Sequence, residues 1–260
     1  MTWAFKRQIF YMVVLLIFFS VIGFLIAYPY INKAPTCFDN KQNGIETGVD
    51  CGGACLRACI ADVDKMSILW ARVFRVVPGR YNAVAYLDNK NNNAAIHKIK
   101  YRFRFADKDN LFIGKREGET FIPVFGKFAI FEPAIDFGNS IPVYTTLEFT
   151  EAPAWVQVPQ QKVSEVKVFT RDVKLEDETT SPRLSAFVKN NSLYTIPEMS
   201  VVAILYDEKG NAISSSRTYI DILNGEEEKE VTFTWPEPIE GRVIAKEIIP
   251  MFDIFLAKQK

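Results

Sequence analysis

Histidine is almost missing from this chain of 260 residues: there is one, His97. A single imidazole cannot build a histidine-rich metal site, and no nucleophile motif marks it as the base of a catalytic triad. The phosphate loop, the GxSxG elbow and the HExxH helix are missing too, and no two carboxylates stand out as a glycosidase pair. We expect no enzyme. Net charge is also missing, since 31 Lys and Arg balance 31 Asp and Glu. Nothing in that balance suits the chain to nucleic acid. Beyond Tyr28 no stretch keeps a 3.6-residue period, so helix should be minor. With 21 Phe and 48% hydrophobic residues the chain is no disordered tail.

What charge the chain has is kept out of one place. Residues 9–28 read IFYMVVLLIFFSVIGFLIAY, twenty residues without a charge. A helix of that length spans the roughly 30 Å hydrocarbon layer. Lys6 and Arg7 precede it, and Tyr11, Tyr28 and Tyr30 fall near its ends. The positive-inside rule then puts residues 1–8 in the cytoplasm and everything after Pro29 outside the cell membrane. A cleaved signal peptide is the competing reading, but it would have a shorter apolar run and small residues at the cut. Here the exit is Leu25-Ile26-Ala27-Tyr28, with bulky Leu25 at the −3 position.

All four cysteines, Cys37, Cys51, Cys55 and Cys59, sit within 23 residues of a neck over 29–62. Outside a membrane they read as two disulfides, with three pairings open. A bridge from Cys37 to Cys51 or Cys55 would contribute about 3 kcal/mol in the loop-entropy model. Four thiolates around zinc are the alternative, though the spacing lacks the usual CxxC pairs. Asp39, Asn43, Glu46 and Asp50 offer oxygen ligands around the Asn43-Gly44 turn. Counting from Asp39, Gly44 and Asp50 occupy positions 6 and 12 of a calcium loop. Lys41 at position 3 and Asp50 in place of Glu depart from that pattern, and plain turn chemistry explains the same residues.

The neck resembles a motif of microbial surface proteins, C-x-D-[NG]-x-x-N-G-x-E-T-G-x-D-C-G-G-x-C. It is carried here by Cys37, Asp39, Asn40, Asn43, Gly44, Glu46, Thr47, Gly48, Asp50, Cys51, Gly52, Gly53 and Cys55. The resemblance implies a stalk or spacer and assigns no catalytic residue.

After the neck, short β-branched and aromatic runs alternate with Asn, Asp, Gly and Pro, the texture of all-β sandwiches. Strands are expected at 67–76, 81–88, 97–106, 111–117, 127–131 and 143–149 in a first domain over 63–150. A second domain over 162–260 should hold strands at 163–174, 183–189, 199–206, 212–220, 229–234 and 242–249. Between them lies a linker, 151–161, stiffened by Pro153 and Pro159. The halves align at an offset of 101: Asn89 falls on Asn190, Phe105 on Tyr206, Lys108 on Lys209 and Asn110 on Asn211. The expected fold is therefore two tandem Ig-like β-sandwiches behind one transmembrane helix and a Cys-rich neck.

The second half resembles the FxLYD-type Ig-like domain of bacterial and archaeal envelope proteins, over about residues 182–234. Leu205-Tyr206-Asp207 carries the signature after Phe187-Val188-Lys189-Asn190-Asn191-Ser192, with Ala203 where the signature has Phe. The resemblance implies a small sandwich with a binding or spacer role.

Two surface features could hold a partner. Lys98, Lys100, Arg102 and Arg104 should share one face of a strand, with Ile99, Tyr101, Phe103 and Phe105 on the other. Such a stripe could grip wall polymer, lipid headgroups or an acidic protein. It could equally be a solvated face with Glu117 and Glu119 as cross-strand partners. Phe121, Phe125, Phe128, Phe131 and Phe137 crowd a stretch broken by Pro123, Gly126 and Pro133, so part of it could be an apolar docking loop. His97 should be a solvent-facing strand residue. The best-supported reading is a non-catalytic interaction or spacer module with a protein or wall-polymer partner. Calcium-dependent sensing through the neck is a second reading and an envelope hydrolase a third.

Overall fold

The computed structural model describes residues 3–31 and 36–259, in two compact units that divide after Gly53. The Tyr30 ring and positions 32–35 of the neck lie outside the described residues. In the first unit, helix α1 (Trp3–Ile31) contains an apolar span, Phe5–Tyr28, of mean hydropathy 2.9. That span is about 36 Å long, enough to cross a bilayer. Apolar side chains are exposed on every side of it. A helix that is apolar all round, rather than along one stripe, suits a membrane span or the core of a larger assembly. The other described residues of this unit are turns and bends, with one isolated bridge between Gly48 and Cys51.

The second unit is almost entirely antiparallel β-structure. Its strands are β1 (Ser67–Val77), β2 (Arg80–Asn89), β3 (Ala94–Ala106), β4 (Phe112–Ile122), β5 (Gly126–Asp136), β6 (Tyr144–Phe149) and β7 (Val156–Gln157). Then come helix α2 (Gln160–Glu165) and strands β8 (Val168–Glu176), β9 (Arg183–Asn190), β10 (Tyr194–Tyr206), β11 (Ala212–Leu223), β12 (Glu228–Thr234), β13 (Ala245–Met251) and β14 (Lys258–Gln259). The first seven form sheets of order β1-β2-β5 and β4-β3-β6, with β7 on the start of β3. The last seven repeat this, as β8-β9-β12 and β11-β10-β13, with β14 on the start of β10.

Local chemistry repeats as well. Buried Asn89 donates to the carbonyls of Ala94 (3.1 Å) and Pro123 (2.7 Å) and accepts from the Asn91 N–H. Buried Asn190 donates to Tyr194 (2.6 Å) and Asn224 (2.9 Å) and accepts from Ser192 N–H. Each amide satisfies backbone groups where two loops meet, which is why it tolerates burial. At the opposite end, Asp107 and Asp207 each close a hairpin by accepting two backbone N–H groups.

These pairs also correct the expected alignment. The offset is 101 as far as Asn89 and Asn190, but the next loop is one residue shorter in the second half. β3 and β10 then match at an offset of 100. Phe105 falls on Leu205 rather than Tyr206, and Asn110 falls on Gly210, both with left-handed backbones (φ 61° and 74°). Without a gap in the comparison, the matched hairpin aspartates were out of step.

Four sheets stack in the order β4-β3-β6, β1-β2-β5, β11-β10-β13, β12-β9-β8. Ile99, Tyr101, Phe103 and Phe105 face Leu87, Phe128 and Ile130 inside the first pair. Val201, Ala203 and Leu205 face Leu184, Val188 and Phe233 inside the second. Val202, Ile204, Ile249 and Met251 point the other way and join the cluster of Val84, Tyr86 and Phe131. The two middle sheets are thus covered on both faces, and runs 83–87 and 201–205 are buried without a break. Unbroken apolar runs are what two-sided burial demands.

The expected linker is integral to this packing. Pro153 and Pro159 bracket β7, which pairs with Ala94 and Ala95, while Trp155 and Val158 are buried. The strand expected at 163–174 begins only at Val168, because α2 occupies its first positions. Val163 packs with Ala95, Val158 and Ile254, so the C-terminal segment also closes over the junction.

Candidate functional site

In the neck, the four expected oxygen ligands do gather in one turn, but the carboxylate oxygens of Asp39, Glu46 and Asp50 face N–H groups, while the Asn43 amide oxygen is buried without a hydrogen-bond partner. Asp50 accepts from the N–H of Asp39 (2.9 Å) and of Asn40 (3.0 Å). Asp39 accepts from Lys41 N–H (3.0 Å) and from the Asn43 amide (2.8 Å), and Glu46 from Asn43 N–H (3.3 Å). The Asn43 amide, and then the backbone donors, hold the Asp39 carboxyl below its ordinary range. Calcium would have to compete with all of these donors. At Gly53 (φ 57°) a Cβ would lie 1.8 Å from the Ile45 carbonyl oxygen, so this turn requires glycine. All four cysteines are in disulfides, which leaves no thiolate for zinc.

The basic stripe lies on β3, on the face away from the core. Glu119 takes Lys98 (2.7 Å), and Glu117 and Glu148 take Arg102 from either side (2.6 and 3.0 Å). Lys115 and then Arg102 hold Glu117 below the usual carboxylate range. Arg104 instead sits over the Phe112 ring, 5.6 Å from its centroid. The stripe is therefore interleaved with acid through most of its length.

His97 is exposed on β3 as expected, yet its Nδ1 is hydrogen-bonded to a carboxylate oxygen of Asp253, which is buried. Phe255 meets the ring edge-on at 5.9 Å. The pair lies in an open cleft of about 330 Å³ where Glu119, Lys98 and Glu198 converge. Asp253 is 156 residues from His97, and no local pattern could have joined them. Among the aromatics, Phe128 and Phe131 are core, Phe121 and Phe137 half-buried, and only Phe125 is fully presented, on a left-handed turn (φ 45°).

Polar groups also cross between the middle sheets. Tyr86 and Tyr206 both donate to the Glu247 carboxylate (2.5 and 2.7 Å). Burial, then this bond, raises both phenols well above the usual tyrosine value. Arg217 donates to the Phe131 carbonyl (2.9 Å) and lies over the Phe131 ring. Arg72 reaches the Ala212 carbonyl (3.2 Å).

No protein-family model matches this chain, and no curated protein does. Among solved structures, a red sea bream transglutaminase is similar over 72% of this chain at 8% identity and a TM-score of 0.24. A β-glucuronidase of glycoside hydrolase family 2 is similar over 65%, at 9% identity and a TM-score of 0.23. The chain spans 29% and 24% of their lengths. At these scores neither bears on what this chain does.

Proposed function

We propose that the chain is a single-pass envelope protein of the cell membrane, with residues 1–8 cytoplasmic and the bulk extracytoplasmic. It works without catalysis, as a scaffold or spacer built from two tandem Ig-like domains of FxLYD type. The observation that carries this reading is the shared apolar interface between the middle sheets. Two sandwiches on a loose linker would set no distance, whereas a four-layer stack does. Lys6 and Arg7 ahead of the apolar helix favour this orientation, and four oxidised cysteines suit an oxidising compartment.

Orientation is testable in intact cells expressing the full chain. A membrane-impermeant maleimide should label the neck only after an impermeant reductant is added. Labelling without reductant, or only after the cells are opened, would overturn the orientation. For the spacer role, lengthening the β6–β8 connection with a flexible insert should leave membrane insertion intact while reducing crosslinking to the native partner.

A further inference from the structure

The part of the second unit where the chain enters it is apolar and open. Ile60, Val63, Met66, Ile68, Phe149 and Trp155 line a cleft of about 310 Å³. Two of them stand at its mouth, Ile60 at 74% exposed and Ile68 at 43%. Leu56, 75% exposed, lies alongside. Its carbonyl accepts from the Gln157 N–H (2.6 Å), and the Ala58 N–H donates to the Trp155 carbonyl (3.0 Å). A single exposed leucine is ordinary, but an apolar cleft rimmed by exposed aliphatic side chains is a contact surface.

Three observations point to what covers it. The first is reach. Helix α1 ends at Ile31, and Leu56 follows 25 residues later. The N–H groups of Asp39 and Asn40 bond to the Asp50 carboxylate, which takes the residues between them out of the span. What remains is about 50 Å of chain at full extension. A bilayer around α1 therefore meets this patch at an effective concentration on the order of millimolar, which a partner from solution does not. The second is residue type. The exposed side chains are Leu and Ile, which enter hydrocarbon readily, whereas the anchors of protein contacts are mostly Trp, Tyr and Arg, with Leu under-represented. The third is charge. Arg57 and Lys65 are matched by Asp62 and Asp64, so charge selects neither an acidic nor a basic partner and apolar burial is left to hold the contact.

We propose that this part of the second unit rests on the outer leaflet of the bilayer that holds α1, with Leu56, Ile60 and Ile68 entering the acyl-chain boundary and lipid closing the cleft. The proposal rests on the reading of α1 as a membrane anchor, and it makes the bilayer a second contact of the chain beyond its helix.

The test uses the full chain in nanodiscs whose lipids carry a diazirine near the headgroup end of one acyl chain. Light should attach lipid to α1 and, in the same molecules, to residues 56–68 and 149–155. Leu56→Ser with Ile60→Ser should lower the adducts on those two segments at least about fivefold relative to those on α1. Phe112→Ser, an exposed ring at the opposite end of β3, should leave that ratio unchanged. Exchanging zwitterionic for anionic lipid should alter it by less than about twofold, because no excess of positive charge surrounds the patch. All the substituted side chains are exposed, and an unchanged melting temperature shows that the variants fold. With α1 labelled, three results would overturn this proposal alone: a bare cleft, cleft adducts untouched by the serine pair, or crosslinks joining two copies through the cleft in place of lipid adducts. A bare α1 would overturn the anchor reading together with it.

Discussion

The sheets β4-β3-β6 and β11-β10-β13 have the same strand order and opposite fates. At an offset of 100, Lys98, Lys100, Arg102 and Arg104 become Glu198, Ser200, Val202 and Ile204. In the first sheet that row faces solvent and pairs with glutamates. In the second, Val202 and Ile204 face the neighbouring sandwich and are buried, while Ser200 is half-buried and Glu198 exposed. One backbone therefore serves as an outer wall or as an inner partition, and the sharpest difference between the two is Arg102 and Arg104 against Val202 and Ile204. Charge on the exposed copy also keeps a third sandwich from stacking on it, the kind of blocking that exposed β-surfaces require.

The sharpest way to break this contrast is Ile204→Arg, which gives the buried row the residue of its exposed counterpart. An unpaired guanidinium between the middle sheets should cost about 3–5 kcal/mol. We expect chemical denaturation to change from one transition to two, and a single unshifted transition would refute the stacked interface. Next come the matched amides. Asn89→Ala and Asn190→Ala should each destabilise by about 1–3 kcal/mol, by leaving buried carbonyls unpaired. If the repeated strand order carries the same energetics in both halves, the two denaturation midpoints fall together.

A third effect is set by pH. Tyr86 and Tyr206 have phenols raised by burial and by Glu247, while unfolded tyrosines ionise near pH 10. Their contribution is complete below about pH 10 and is lost as pH rises beyond it, because the unfolded chain then releases protons the folded one retains. The loss should stay below about 1 kcal/mol per pH unit, allowing for solvent screening. Melting temperatures above pH 10 should fall less steeply for Tyr86→Phe than for the parent. The smallest change in stability is expected from the reverse exchange, Arg102→Val with Arg104→Ile, at roughly 1 kcal/mol or less. Its consequence should be self-association, read by sedimentation, since the outer wall then resembles the partition.

Much of the fold was legible because each element has a local signature. The uncharged 9–28 run, the alternation through Ile99, Tyr101, Phe103 and Phe105, and the Asn and Asp at strand ends each depend on near neighbours. The expected strands near 81–88 and 199–206 were found for that reason. Stacking was not legible. Ala83-Val84-Ala85-Tyr86-Leu87 reads as one apolar run whether its second face meets a sandwich or nothing at all. The two-residue strands β7 and β14 are too short for any period, and α2 has Val163 as its one large apolar residue. For the candidate sites, the acids beside the basic stripe could be anticipated from strand pairing. Asp253 beside His97 and Glu247 between two tyrosines could not, because they depend on how distant segments meet.

The partition also sets a schedule for synthesis. The first sandwich is translated well before β10 and β13, so for the time it takes to add about 100 residues, roughly 5–20 s, Val84, Tyr86 and Phe131 have no cover. Ile254, made later still, then closes over Ala95 and Val158. A chain stopped at residue 161 should therefore be sticky in a way the finished protein is not, and the interval before completion is when a folding helper would have most to do.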